Sequence, residues 1–211
     1  HCEEQLRLTR RCLELIDAYG FGVAVQTKSD RILRDLDLLC SINRKAKCVV
    51  QMTLTTYDEE LCRIVEPNVC TTRRRFEVLK TMQENGIPTV VWLSPILPYI
   101  NDTMENIQGI LEYCAQAGVY GIICFGMGMT LRQGDREYYY AALDRHFPGL
   151  REKYHRRYGY AYDIQSDRAE ELMQYFHAFC AERSIVSDWG QLFEYLHEFP
   201  ENKGYEQLSL F

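Results

Sequence analysis

The chain has 211 residues, 24 Lys and Arg against 30 Asp and Glu, a formal net charge of −6 and 46% hydrophobic residues. This is the composition of one ordinary globular domain, or of one domain with a small appendage, and it excludes a disordered chain. A mildly acidic chain is not a generic nucleic-acid or membrane binder, and no apolar run approaches the ~18 residues of a membrane span.

Glu4 to Tyr19 carries helical spacing through Leu6, Leu13, Leu15 and Ile16, and Gly20 stops it. Phe21 to Thr27 reads as a short strand, Arg31 to Asn43 as a helix, and Lys47 to Thr55 as a second strand through Val49, Val50, Met52 and Leu54. Asp58 caps a short helix that ends before Pro67. A helix from Thr71 or Thr72 runs to Asn85, with Gly86 just past its end. Thr89 to Leu93 is a third strand, Thr103 to Ala117 a helix closed by Gly118, and Tyr120 to Phe125 a fourth strand. Strands separated by helices give a parallel sheet with right-handed crossovers. Nearly continuous apolar strands fit a sheet covered on both faces. After Gly128 the pattern is helical over Tyr138–Phe147, Leu150–Tyr158, Arg168–Arg183 and Trp189–Phe199, with a tyrosine-rich stretch that reads as a packing layer under helices. The expected organisation is α/β over 1–130, a helical extension over 131–199 and a mobile tail over 200–211.

A parallel sheet that opens with a helix leaves Phe21 to Thr27 as a valine-containing edge strand, which complete domains normally cover. The start, His1-Cys2-Glu3-Glu4-Gln5, is polar, with no signal-peptide core and no initiator Met. These features create the expectation of a piece of a longer protein, with an open edge that offers a surface for dimerisation. The nine cysteines have no pair closer than eight residues and no C-x-x-C or zinc spacing. They are expected to be reduced thiols in a cytosolic protein.

In α/β sheets, function collects at the C-terminal ends of the strands. Those ends read Gln26-Thr27-Lys28-Ser29, Thr53-Leu54-Thr55-Thr56, Ser94-Pro95-Ile96-Leu97-Pro98-Tyr99-Ile100-Asn101-Asp102 and Gly126-Met127-Gly128-Met129-Thr130-Leu131-Arg132. Lys28 suits a carboxylate or phosphate, although a lysine there is also an ordinary solvated residue. Thr53 or Thr55 can donate a hydroxyl, and threonine is equally a good strand residue. Asp102 or Thr103 caps the helix after the proline-stiffened loop. Glu66, before Pro67, and Arg75, one loop away, form either an ion pair in the mouth of the sheet or an ordinary surface bridge. Arg73-Arg74-Arg75 reads as a solvated helix face, Gly126-x-Gly128 is too short for a dinucleotide fingerprint, and no two histidines have metal-ligand spacing.

Together, five strings resemble the radical S-adenosylmethionine superfamily, in the branch that looks like spore photoproduct lyase. They are Leu8-Thr9-Arg10; Thr27-Lys28-Ser29 with Arg34-Asp35; Thr53-Leu54-Thr55-Thr56-Tyr57-Asp58 with Glu66-Pro67; Gly86-Ile87-Pro88; and Pro95 to Asp102. Met129 to Arg132 and the tyrosines after it look like the C-terminal extension of one subfamily. The resemblance implies a six-stranded partial (β/α) barrel, of which this chain would hold the last four strands. It also implies a C-x-x-x-C-x-x-C loop that holds a 4Fe–4S cluster and, through it, S-adenosylmethionine, giving a 5′-deoxyadenosyl radical. This chain has no such loop, so the cluster would be held elsewhere in the parent. By the same resemblance Lys28, flanked by Thr27 and Ser29, would meet the carboxylate end of S-adenosylmethionine. Thr53 would face the same cofactor, and Pro95 would line its adenine side. Glu66, Arg75, Asn101 and Arg132 would be structural or near substrate.

The end of the chain, with Gln207, Leu208, Leu210 and Phe211, resembles a bacterial sliding-clamp-binding peptide. This would place the parent near DNA, with nucleic acid as a substrate by analogy. Two other readings stay open: a non-radical α/β domain that binds a nucleotide or phosphate, and a non-catalytic interaction module.

Overall fold

In the computed structural model, residues 2–200 are described. The tail residues Gln207, Leu208, Leu210 and Phe211 therefore lie outside the described residues. The first helical pattern is two helices, α1 (Cys2–Leu6) and α2 (Leu8–Ala18), separated by Arg7 in the left-handed region at φ 51°. Then come β1 (Val23–Thr27), a 3-10 turn over Asp30–Asp35, α3 (Leu36–Lys45), β2 (Cys48–Thr53), α4 (Glu59–Val65), α5 (Thr72–Glu84), β3 (Thr89–Trp92), α6 (Met104–Gln116) and β4 (Gly121–Ile123). The caps follow the sequence. Asp58 accepts from Leu61 N–H at 2.6 Å, and Thr103 accepts from Asn106 N–H at 3.1 Å.

The four strands form one parallel sheet in the order β1-β2-β3-β4, with Val25 opposite Val50, Met52 opposite Val91 and Val90 opposite Gly121. All six residues of β2 are buried, because its alternate side chains enter two different cores. Cys48, Val50 and Met52 pack with Leu39 and Ile42 of α3, Leu79 and Met82 of α5, and Ile107 and Leu111 of α6. Val49 points the other way, with Val90 and Ile123, against Leu192 and Leu196.

Those two leucines belong to α10 (Trp189–His197), which crosses the second face of the sheet. Gly121 permits that approach: a Cβ there would lie 2.4 Å from Leu192 and 2.7 Å from the Val186 carbonyl oxygen. Lys47 caps the end of α10 by donating to the Glu198 carbonyl at 2.9 Å and to that of Tyr195, whose ring centre is 3.6 Å from the ammonium. Burial there lowers the Lys47 pKa from its ordinary value. The outer side of β4 is taken by Val186, which exchanges hydrogen bonds with Ile122 and Tyr120. Among the described residues β1 pairs only with β2, and its side chains alternate between half-buried and exposed.

The extension departs from the purely helical expectation. It holds α7 (Asp135–His146), α8 (Leu150–Tyr158) and α9 (Ala169–Glu182), but also a short strand, β6 (Asp163–Gln165), which pairs antiparallel with β5 (Gly128–Thr130) just before the extension. A three-residue strand has no readable period, and its partner lies a helical hairpin away. Helix α9 buries Leu172, Phe176 and Cys180 in the main core. Tyr140 and Tyr154 are buried with Leu131, Leu143 and Ile164 in a separate cluster. Tyr138, Tyr160 and Tyr162 are exposed, so the packing layer takes only part of the tyrosine-rich stretch.

Among the described residues no helix is long and apolar enough to cross a membrane. The eight described cysteines are free thiols. Burial pushes the Cys124 thiol up to about 11, and those of Cys48 and Cys180 up to about 12.

Candidate functional site

At the C-terminal ends of β1 and β2, a carboxylate joins two cations. Glu66 follows the last turn of α4, and Pro67 prevents the helix from continuing. Its Oε1 accepts from Lys28 Nζ at 2.7 Å, and its Oε2 accepts from Arg75 Nη1 at 2.8 Å and from the Thr55 hydroxyl at 3.3 Å. Burial alone would raise the Glu66 carboxyl, but the Lys28 hydrogen bond and the Arg75 charge outweigh it, so its pKa lies below the ordinary value.

Arg75 is fully buried. It reaches the site from the first turns of α5, donating from Nη1 to the Thr53 carbonyl at 2.9 Å and from Nε to the Cys70 carbonyl at 2.8 Å. Its Nη2 is buried and has no hydrogen-bond partner among the described residues. The expected solvated run Arg73-Arg74-Arg75 is corrected here. Arg74 pairs on the surface with Asp30 and Glu77, each at 2.9 Å, while Arg75 turns inward, because consecutive helix residues point about 100° apart. Lys28 keeps 40% of its side-chain surface exposed. Two cations against one carboxylate leave the cluster with one positive charge in excess.

Thr27 and Ser29 flank Lys28 but spend their hydroxyls on the turn, where Thr27 Oγ1 accepts from Ser29 N–H at 3.0 Å and Ser29 Oγ from Arg31 N–H at 3.2 Å. Thr53 is buried at the end of β2 and brings its carbonyl to Arg75.

The loop after β3 is tied down at every turn. Asn101 is buried, donates to the Thr55 carbonyl at 2.9 Å and the Thr56 hydroxyl at 3.1 Å, and accepts from Leu97 N–H at 2.6 Å. Tyr154 donates to the Pro98 carbonyl at 2.7 Å, Tyr99 to Asp167 at 2.6 Å, and Ser166 to Asp102. Tyr99 holds a left-handed φ of 63°, a conformation that costs a non-glycine residue free energy and so needs such anchors.

Pro95 lines a cleft of about 500 Å³ with Ser94, Phe125, Gly126, Gly128 and Gln165. A Cβ on Gly128 would lie 2.1 Å from the Ile164 carbonyl oxygen, so only glycine fits this wall. Arg132 stands with the extension, donating to the Tyr162 hydroxyl at 3.1 Å.

Two partners escape the sequence reading, and a third residue, Asp35, is quoted there without its pairing. Asn106, on the first turn of α6, donates to the Thr55 carbonyl at 2.9 Å and accepts from Tyr57 N–H at 2.6 Å. Gln51 accepts from the Trp92 indole at 2.8 Å between neighbouring strands β2 and β3. Buried Asp35 accepts from Arg10 at 3.2 Å and from Arg34 at 2.8 Å, joining two of the quoted strings below the site. An asparagine in a first turn reads as a cap, and a glutamine inside an apolar strand was the one signal that a polar partner faces it.

Among the described residues no three His, Cys, Asp or Glu side chains come together as metal ligands. The residues described here do not provide the donor set of an iron–sulfur cluster.

No family model matches the chain. The uncharacterized protein Rv2578c of Mycobacterium tuberculosis is 29% identical over 141 residues, 67% of this chain and 41% of that protein. The uncharacterized protein MJ0683 of Methanocaldococcus jannaschii is 35% identical over 107 residues, 51% of this chain and 39% of that protein. The chain thus spans about two fifths of the length of these relatives. Solved structures with a similar arrangement include Streptococcus suis SuiB bound to S-adenosylmethionine, at TM-score 0.43 and 12% identity over 64% of this chain and 32% of that one. Another is the radical S-adenosylmethionine methyltransferase TsrM from Kitasatospora setae, at TM-score 0.46 and 17% identity over 62% of this chain and 25% of that one.

Proposed function

We propose that this chain is the C-terminal part of a radical S-adenosylmethionine enzyme of lyase-like type and supplies one side of its cofactor pocket. The observation that carries the reading is spatial. Strings scattered between positions 28 and 101, from Lys28 through Thr53, Glu66 and Arg75 to Asn101, converge at the C-terminal ends of β1 to β3. The excess positive charge, with Lys28 as its exposed member, suits the cofactor carboxylate. The stiffened loop and its cleft at Pro95 suit the adenine side.

When bound beside a reduced 4Fe–4S cluster, S-adenosylmethionine supplies hydrogen-atom abstraction. The residues of this chain bind and orient it. The cluster belongs to another part of the parent. The partners that go with this reading are S-adenosylmethionine, a nucleic-acid substrate by analogy with the branch, a sliding clamp taken by the Gln207 to Phe211 tail, and a second copy of the chain along the β1 edge. The first is supported by the geometry above and the others by sequence and topology.

The decisive test is the coding DNA upstream of His1. An in-frame segment encoding C-x-x-x-C-x-x-C supports the reading, and a frame that opens at or just before His1 refutes it. Equilibrium dialysis with S-adenosylmethionine tests the site, with binding by the whole protein expected to fall on Lys28→Ala.

A further inference from the structure

Lys28 is a flexible side chain at a strand end, yet both its ends are held by one short segment. Its ammonium donates to Glu66 at 2.7 Å, and its backbone carbonyl accepts from the Cys70 thiol at 3.2 Å. The segment is itself fixed, because buried Arg75 donates to the Glu66 carboxylate at 2.8 Å and to the Cys70 carbonyl at 2.8 Å. Arg75 also reaches the Thr53 carbonyl at 2.9 Å, which refers the whole arrangement to the end of β2.

The two oxygens of Glu66 divide the work. Oε2 faces the buried anchors Arg75 and Thr55, and among the described residues Oε1 has Lys28 as its one hydrogen-bond partner. An ammonium has three donors, so one bond to Glu66 fixes its direction and leaves two for an incoming group. Arg75 has no exposed surface and cannot meet a ligand itself. We infer that Glu66 is the positioning residue for the Lys28 ammonium, with Arg75 as its fixed anchor, and that the pair aims Lys28 at the cofactor carboxylate. The role given to Lys28 rests on the proposed function, whereas the holding of Lys28 by Glu66 does not.

The test separates the two. Brief acetylation of the whole chain with an amine-reactive ester, followed by peptide mass spectrometry, reads the rate at Lys28 against Lys80 on α5. Glu66→Gln is expected to raise the Lys28 rate relative to wild type by roughly threefold or more, as the ion pair is released, and Glu66→Asp to give an intermediate rate. Should Glu66→Gln fail to fold, the double variant Glu66→Gln with Arg75→Met leaves no orphaned buried charge and is expected to show the same rise. An unchanged Lys28 rate in a folded variant overturns the inference. S-adenosylmethionine binding is the second readout. If Glu66→Gln and Lys28→Ala both weaken it while the fold stays intact, positioning toward the cofactor holds. Normal binding by Lys28→Ala, with the acetylation result intact, overturns the cofactor role and leaves Glu66 as the holder of Lys28.

Discussion

Replacing Arg75 with methionine tests whether the strand-end cluster is a buried network or a surface bridge. Arg75 has no exposed side-chain surface and Glu66 keeps 11%, so solvent screening gives little relief. The change removes the hydrogen bonds to Glu66, to the Thr53 carbonyl and to the Cys70 carbonyl. It leaves Glu66 with Lys28, which is itself 40% exposed. Breaking a buried pair from one side costs about 3–5 kcal/mol. For a domain of this size that is a fall in Tm of about 6–20 °C. Arg74→Met is the matched control, since that side chain is 46% exposed and its partners Asp30 and Glu77 are on the surface; its expected cost is under about 1 kcal/mol. Urea denaturation followed by circular dichroism gives both values under one baseline. The double variant Glu66→Gln with Arg75→Met should lose less than the two single losses added, because neither partner remains as an orphaned charge. If Arg75→Met costs no more than Arg74→Met, or if the double variant is strictly additive, the account of a coupled buried cluster is wrong.

Four further outcomes are expected. Acid should weaken the same cluster: the Glu66 carboxyl titrates below its ordinary value in the fold, so its contribution is complete above about pH 4.5 and fades as pH falls through the lower folded value. The pH dependence of urea midpoints, wild type against Glu66→Gln, reads that slope, and a parallel pair of curves would count against it. Leu192→Ala removes a fully buried side chain between α10 and the sheet and should cost about 2–5 kcal/mol by urea titration. Gly109→Ala would set a Cβ 2.4 Å from the Tyr57 ring and should cost about 1–3 kcal/mol, with a change in near-ultraviolet circular dichroism, whereas a neutral result would show that Tyr57 is not seated there. Iodoacetamide at pH 8 should label exposed Cys12 well before Cys48, Cys124 and Cys180, whose thiols are buried and pushed up to about 11 or 12; peptide mass spectrometry reads the order.

Much of this molecule was legible in the residues. The four parallel strands were readable because β2, β3 and β4 are short apolar runs buried on both faces, and because Gly86 and Gly118 stop the helices between them. What escaped was set by contacts remote in sequence. Helical spacing sets Arg75 on the same face as Val78, Leu79 and Met82, whereas Arg74 is off it; what the spacing does not show is that the buried guanidinium meets Glu66 and the Thr53 carbonyl. The antiparallel pair of β5 and β6 was invisible for the same reason, since Gly128 meets Gln165 only after two helices have intervened. Helix α10 was readable as a helix, but its seat on the second face of the sheet depends on Gly121 and on Lys47, which belong to other elements. Candidate site residues were legible as types at strand ends, while their wiring was not: Asn101 reads as a loop polar residue, yet its amide is used on Thr55, Thr56 and Leu97.

The position of α10 also explains why the polar chemistry gathers where it does. Leu192 and Leu196 cover Val49, Val90 and Ile123, so the second face of the sheet is sealed by apolar contact along that part of the strands. Toward the C-terminal ends the same face changes character. Gln51 takes the Trp92 indole, Thr53 follows two residues later, and Phe125 is exposed. The half-buried Trp92 indole donates there to the buried Gln51 amide oxygen. Beyond them the exposed ammonium of Lys28 and the cleft at Pro95 stay accessible. Burying Glu66 and Arg75 is costly unless both are paired. The network pairs both charges, although Arg75 Nη2 has no partner among the described residues, and it leaves Lys28 partly exposed.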